Sequence, residues 1–153
     1  MRPLSYGLVG CGMMGREHLR NIALVPGTRV AAVHDPREDL ACEAARLAGG
    51  AEVARSLDAL IGRPGLDALV IASPNDLHVP QLLRIAEVRP LPVLVEKPLY
   101  VRPDEREAVD RLARDYPAPI WVAMEYRYMP PIASFLEEAE AATGGVRMLS
   151  IRE

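Results

Sequence analysis

Positions 10–15 carry the first pattern that could do chemistry. They read Gly10-Cys11-Gly12-Met13-Met14-Gly15, a G-x-G-x-x-G sequence. This loop follows a short apolar run and precedes a segment with helical periodicity, which is the context that gives the pattern its meaning. Its glycines permit a tight turn, close approach of backbone N–H groups to a pyrophosphate, and contact between helix and strand. We therefore take all six residues as candidate ligands of a dinucleotide; the alternative is a plain glycine-rich turn.

Asp35 is the second candidate, because it closes an apolar run twenty positions after Gly15. A carboxylate at this place can accept hydrogen bonds from the adenosine ribose hydroxyls. It favours NAD over NADP, since a 2′-phosphate would meet its negative charge. Arg37 lies close enough in sequence to soften that repulsion, so NADP remains possible. Asp35 could also, or instead, cap a helix that begins near Pro36.

Three further polar clusters stand at the carboxyl ends of candidate strands, where open parallel sheets place their ligand crevice. They are Ser73-Pro74-Asn75-Asp76-Leu77-His78, Glu96-Lys97-Pro98 and Glu125-Tyr126-Arg127-Tyr128. The prolines after Ser73 and Lys97 end their strands and hold the preceding residue extended. Polar groups are therefore expected to project from the edge of the sheet.

With these motifs, and with His18 three residues after the glycine loop, the chain is similar to the amino-terminal half of the Gfo/Idh/MocA oxidoreductases. The similarity covers essentially the whole chain from Tyr6 onward. It implies a Rossmann domain, NAD as cofactor and, in the full-length form, a sugar or polyol as substrate. In that family a second α/β domain carries much of the substrate site, including an aspartate and a histidine that work with a lysine.

The resemblance also assigns roles to single residues. Ser73, Pro74 and Asn75 would line the cofactor, with His78 at the same edge. Lys97 would be the catalytic lysine and Glu96 would lie near the nicotinamide. An ammonium there can donate a hydrogen bond to a substrate hydroxyl and stabilise oxyanion character as hydride leaves. Each role has an alternative: His78 could cap or pack, and Glu96 with Lys97 could form a surface ion pair.

The Tyr126-Arg127-Tyr128 segment is a candidate of second rank, because these side chains could equally pack around a domain boundary. Glu125 precedes them at the end of the last predicted strand, and no role is assigned to it.

Short apolar runs alternate with longer segments of helical period, which predicts an α/β fold with a doubly wound parallel sheet. The predicted strands are 4–9, 30–34, 52–54, 68–72, 93–95 and 120–124. The predicted helices are 14–24, 38–47, 57–61, 77–88, 104–115 and 131–142.

Residues 1–145 are predicted to form the dinucleotide-binding domain. Residues 146–153 alternate in polarity like a half-exposed strand, which either pairs with an edge of this sheet or begins a second domain. The chain is then a piece of a dehydrogenase and inactive alone, a stand-alone nucleotide-binding module or sensor without turnover, or the product of a truncated gene. The first of these is the expectation.

The composition of the chain argues against several classes of binding partner. The 153 residues carry a formal net charge of -3, so no general basic field attracts nucleic acid. Two cysteines without repeated spacing are typical of a reducing compartment, which predicts a cytoplasmic protein. No apolar run approaches the roughly 20 residues of a membrane helix, and no cluster has the spacing of metal ligands. An oligomer could form through an exposed edge near 146–151.

Overall fold

The fold is described by a computed structural model over residues 2–143, with side chains described for residues 2–139. Within this range the chain divides into two compact units. The first ends at Ala123 and the second begins at Met124.

The first unit is built on a six-stranded sheet in which every neighbouring pair is parallel. Its strands are β1 Leu4–Val9, β2 Thr28–His34, β3 Glu52–Val53, β4 Ala68–Ile71, β5 Val93–Val95 and β6 Ile120–Val122. The order across the sheet is β3-β2-β1-β4-β5-β6, so the chain runs outward from β1 in one direction and then outward from β4 in the other. This is the doubly wound arrangement that was predicted, with its switch point between β1 and β4.

Five helices accompany these strands and a sixth belongs to the second unit. They are α1 Met13–Leu24, α2 Glu38–Leu47, α3 Leu57–Ile61, α4 His78–Val88, α5 Arg106–Asp115 and α6 Pro130–Thr143. The predicted helices 77–88 and 104–115 each begin with a short 3-10 turn, Asn75–Leu77 and Pro103–Glu105. A proline at the start of each segment fixes φ and provides no N–H group, which suits a tight first turn.

Two hydrophobic clusters cover the two faces of the sheet. Successive side chains of a strand point to opposite faces, so Leu69 and Ile71 of β4 join one cluster and Val70 joins the other. The first cluster includes Leu82 and Ile85 of α4, and the second includes helix residues of α1 and α2. Both faces of the central strands are therefore buried, and polar chemistry is confined to the ends of the strands.

The second unit contains the 3-10 turn Glu125–Tyr128, where Tyr126 and Tyr128 are 50% and 76% exposed. Helix α6 begins two residues after this turn. The predicted domain boundary at residue 145 and the predicted strand 146–153 lie outside the described residues. No helix between residues 2 and 143 is long and apolar enough to cross a membrane.

Candidate functional site

The glycine loop joins β1 to α1, and Gly10 turns the chain at its start. Its φ of +89° lies in the region that favours glycine. A Cβ at Gly10 would lie 2.6 Å from the backbone nitrogen of Ser73 and 2.7 Å from the carbonyl oxygen of Ala72. The loop therefore presses against the end of β4, and a side chain at Gly10 would push the two segments apart.

The other two glycines have different neighbours. A Cβ at Gly15 would overlap with the carbonyl oxygen of Gly10, so only glycine lets α1 pack onto the loop. At Gly12, by contrast, no described heavy atom outside residues 11–13 lies within 4 Å of that position. The fold thus requires Gly10 and Gly15, whereas the free space at Gly12 is available to a ligand.

Gly12 is the N-cap of α1, and no side chain caps the helix there. The first N–H groups of a helix have no partner within it and carry partial positive charge, so they suit an anion such as a pyrophosphate. Met13 and Met14 form the first turn and are 74% and 41% exposed. They frame this helix end without covering it.

A groove of about 620 Å³ runs along the carboxyl ends of β1, β2 and β4. It is lined by eight predicted site residues, Gly10, Gly12, Met13, Met14, Asp35, Arg37, Ser73 and Pro74. Leu77, from the cluster that follows β4, lines it as well. So do Leu40 and Gln81, to which the sequence motifs did not point. Because these two lie on helices α2 and α4, only the packing of those helices brings them to the groove.

Asp35 accepts a hydrogen bond at each of its carboxylate oxygens, and one of the two holds the glycine loop. Oδ2 accepts a hydrogen bond from the backbone N–H of Cys11 at 2.8 Å, and Oδ1 accepts one from the backbone N–H of Arg37 at 2.9 Å. A carboxylate has about four lone-pair sites, so two remain for other donors such as ribose hydroxyls. Helix α2 begins at Glu38 with Arg37 as its N-cap, which corrects the idea that Asp35 caps a helix starting near Pro36.

Cys11 and Arg37 flank this carboxylate. The Cys11 thiol is fully buried. Burial first, and the charge of Asp35 second, raise its pKa to about 12. A thiol with such a pKa stays protonated and is no nucleophile. Arg37 is exposed and pairs with Asp39 at 2.6 Å, and this hydrogen bond raises the pKa of the guanidinium.

Ser73 connects the end of β4 to α4. Its hydroxyl donates a hydrogen bond to Oε1 of Gln81 at 2.6 Å, which places both side chains at the groove. Asn75 is exposed and begins the following 3-10 turn, outside the groove lining as described.

His78 is completely buried at the start of α4. Its Nδ1 lies 2.9 Å from the carbonyl oxygen of Pro98, and its Nε2 lies 3.0 Å from the carbonyl oxygen of Ser73. The ring therefore ties the turn after β4 to the turn after β5. This geometry favours the packing alternative for His78, because the ring has no exposed surface to offer a cofactor.

Glu96 and Lys97 follow β5. The Glu96 side chain is buried, and its Oε1 lies 2.7 Å from Nε2 of His18 on α1. Its Oε2 accepts a hydrogen bond from the backbone N–H of Lys97 at 3.2 Å. The partner of Glu96 is thus His18, and the alternative of a surface ion pair with Lys97 is not observed.

The Lys97 side chain is exposed, and the described residues offer its ammonium no hydrogen-bond or ion-pair partner. It is therefore free to meet a ligand at the edge of the sheet. His18 was not among the site residues predicted from the sequence. The similarity to the family included His18, but only folding brings it to Glu96, 78 positions away.

The parallel sheet, the glycine loop and the helix end beside an acidic residue define a dinucleotide-binding Rossmann domain. The family described as "Oxidoreductase family, NAD-binding Rossmann fold" (Gfo/Idh/MocA) matches residues 4–124. The chain belongs to this family, as the sequence motifs predicted.

The chain is also similar to individual members. It is 42% identical to an inositol 2-dehydrogenase of Streptomyces avermitilis over 97 residues, which is 63% of this chain and 28% of that protein. It is 31% identical to the rhizopine catabolism protein MocA of Rhizobium meliloti over 146 residues, 95% of this chain and 45% of that protein.

Among solved structures, the chain resembles myo-inositol dehydrogenase from Lactobacillus casei in complex with NAD(H) and myo-inositol. The TM-score is 0.85 at 25% identity, covering 94% of this chain and 43% of the other. The chain spans less than half the length of each of these three relatives.

Proposed function

We propose that the protein transfers hydride between NAD and a secondary alcohol of a sugar or cyclitol, and that this chain holds the cofactor along its groove. The observation that carries the proposal is the Asp35 carboxylate. It lines the groove, it is fixed by two backbone N–H groups, and it keeps acceptor sites for two ribose hydroxyls.

The rest of the groove fits a dinucleotide. Gly12 leaves open space at the N-terminus of α1, where the backbone N–H groups would bind the pyrophosphate. Ser73 and Pro74 would line the cofactor on the β4 side of this loop. Asn75 would reach it from the exposed turn that follows.

A preference for NAD over NADP follows from charge. A 2′-phosphate would meet the negative Asp35, and the guanidinium that could offset this repulsion is already paired with Asp39. Arg37 lines the same groove, so NADP would bind more weakly rather than not at all.

Lys97 is the proposed catalytic residue. Bound NAD supplies the hydride acceptor. The exposed ammonium would donate a hydrogen bond to the substrate oxygen and stabilise the negative charge that develops there as hydride leaves for NAD. The hydroxyl proton would pass to the histidine that the resemblance implies for the second domain of the full-length form. The substrate class is supported by the relatives named inositol 2-dehydrogenase and by the similar structure that contains myo-inositol.

Calorimetric titration with NAD and with NADP tests the cofactor claim. We expect the chain to bind NAD more tightly than NADP. Asp35→Asn should weaken the binding of NAD by at least about tenfold and reduce the difference in affinity between NAD and NADP, since one charge-assisted hydrogen bond is worth about 1.5–3 kcal/mol. Asp67→Asn is a matched control. Asp67 also accepts a backbone hydrogen bond, from Ser5 at 2.8 Å, but it precedes β4 at the opposite edge of the sheet. Failure of the unmodified chain to bind either dinucleotide would contradict the proposal.

The hydride-transfer claim is tested by following NADH formation from NAD and myo-inositol with the full-length product of the gene. Lys97→Met should abolish NADH formation and leave NAD binding within about twofold, because the ammonium acts on the substrate. Turnover that survives this substitution would rule out Lys97 as the catalytic residue.

A further inference from the structure

The His18–Glu96 pair has a geometry that the proposed function leaves unused. The two side chains are only 15% and 10% exposed, and Nε2 and Oε1 are 2.7 Å apart. Both oxygens of Glu96 are engaged, one by His18 and one by the backbone N–H of Lys97. The carboxylate is therefore fixed in orientation and largely removed from water.

The position of Glu96 along the sheet determines which part of a bound dinucleotide it would face. Asp35 follows β2, the glycine loop follows β1, Ser73 lies beyond β4, and Glu96 follows β5. These strands are consecutive in the sheet, so Asp35 and Glu96 are separated by three strand spacings, about 14 Å. A dinucleotide that has its adenosine ribose at Asp35 and crosses the switch point would bring its nicotinamide toward Glu96.

We propose that His18 is a positioning residue that fixes Glu96 as an anion at the nicotinamide end, and that this anion makes the site favour the oxidised cofactor over the reduced one. The inference rests on the proposed binding of NAD. The oxidised nicotinamide ring carries a positive charge and the reduced ring is neutral. A buried carboxylate within several ångströms therefore stabilises the oxidised form selectively.

The hydrogen bonds suit this role. A neutral imidazole donates one N–H, so His18 can satisfy Oε1 without cancelling the charge of Glu96. The nearby Lys97 ammonium is exposed, where solvent and salt screen it. Without a donor at His18, one carboxylate oxygen would be buried unpaired, which favours rotation of the side chain away from this position.

Binding constants for NAD, NADH and ADP-ribose test the inference, because ADP-ribose lacks the nicotinamide. We expect Glu96→Gln to lower the ratio of NAD affinity to NADH affinity about tenfold, with the affinity for ADP-ribose unchanged within twofold. Glu17→Gln is the matched control: it removes the same charge from an exposed residue of α1 that pairs with Arg20, and it should leave the ratio unchanged.

Two substitutions of His18 separate positioning from simple packing. His18→Leu should lower the NAD to NADH ratio in the same direction as Glu96→Gln. His18→Gln should restore most of it, since the amide can donate to Oε1. Thermal unfolding of each variant checks that the fold is retained. Multiple-bond 15N NMR at pH 8 should show the His18 ring protonated at Nε2 alone.

The possible results separate a failure of this inference from a failure of the proposed function. An unchanged NAD to NADH ratio in Glu96→Gln, with NAD still bound, overturns the inference and leaves the proposed function intact. An equal loss of ADP-ribose binding, or a His18 ring protonated on both nitrogens or at Nδ1 alone, also overturns it. If the unmodified chain binds neither ADP-ribose nor NAD, the proposed function fails, and this inference fails with it.

Discussion

Two carboxylates stand at the carboxyl edge of the sheet, three strands apart, and they are held in different ways. Asp35 follows β2 and accepts hydrogen bonds from two backbone N–H groups, those of Cys11 and Arg37. Glu96 follows β5 and accepts one from the backbone of Lys97, while its other oxygen meets the side chain of His18. One end of the edge is thus organised by backbone, and the other depends on a particular side chain.

The difference bears on what each end tolerates. Every residue except proline has a backbone N–H group, so Cys11 and Arg37 could be replaced by any other residue without loss of the donors that hold Asp35. What this end cannot tolerate is a change in the path of the backbone, which the glycines set. The β5 end has the opposite vulnerability, because the hydrogen bonds that His18 and His78 make there are lost when either imidazole is replaced.

The largest effect is expected from Gly15→Ala at the backbone-organised end. The new Cβ would overlap with the carbonyl oxygen of Gly10. Because that oxygen belongs to the backbone, the overlap is relieved only if α1 moves away from the loop. Overpacking of this kind costs about 1–3 kcal/mol, and we expect a loss near the upper limit. Urea unfolding followed by circular dichroism measures it.

Gly12→Ala is the control for this prediction. Its φ of −68° is open to any residue, and the described atoms leave its Cβ position free to 4 Å. The free energy of unfolding should therefore change by less than about 0.5 kcal/mol, while the affinity for NAD falls. Equal destabilisation by both substitutions would mean that the loop does not distinguish its glycines in this way.

At the side-chain-organised end, His78→Leu should be the next largest change. It removes both contacts of the ring, and the buried carbonyl oxygen that accepts the ring N–H, that of Pro98 or that of Ser73, loses its donor. Leaving buried polar groups unpaired costs about 1–3 kcal/mol, so we expect a loss of about 2 kcal/mol in urea unfolding.

His78→Asn provides the comparison, since its amide can still donate where Nδ1 stands and keep the link to Pro98. It should lose about half as much stability as His78→Leu. Identical unfolding curves for the unmodified chain and His78→Leu would show that the turns after β4 and β5 hold their shape without the ring, and the contrast between the two ends would fail.

The same contrast explains what could be read from the sequence. The order of strands and helices was predictable, because apolar runs and helical periods are local signals. The position of Asp35 was predictable too, because the motif contains the spacing between the glycine loop and the acidic residue after β2. The groups that fix its carboxylate lie in that loop and in the turn that follows β2. Even there, its role as an acceptor for Cys11 was not anticipated, since a helix cap appeared equally suitable from sequence alone.

The β5 end shows why the remainder was missed. The contact between His18 and Glu96 joins residues 78 positions apart, and that between Gln81 and Ser73 depends on how α4 is set against the sheet. Neither follows from periodicity or spacing. His78 was placed at the correct edge, but whether its ring faces the groove or the interior is decided by packing, which the motif does not encode.

The smallest expected effect concerns specificity at the Asp35 end. Asp39→Asn removes the exposed carboxylate that pairs with Arg37 at 2.6 Å, and it frees a guanidinium that lines the groove. The affinity for NADP relative to NAD should rise about threefold, in keeping with an exposed ion pair worth about 0.2–1 kcal/mol. Glu107→Gln is the control, because it breaks the exposed pair with Arg111 and releases a guanidinium that is absent from the groove lining. If both substitutions changed the ratio of NADP affinity to NAD affinity equally, net charge alone would account for the change. A response to Asp39→Asn only would mean that the Arg37 side chain adjusts cofactor specificity at a site whose geometry is already fixed by the backbone.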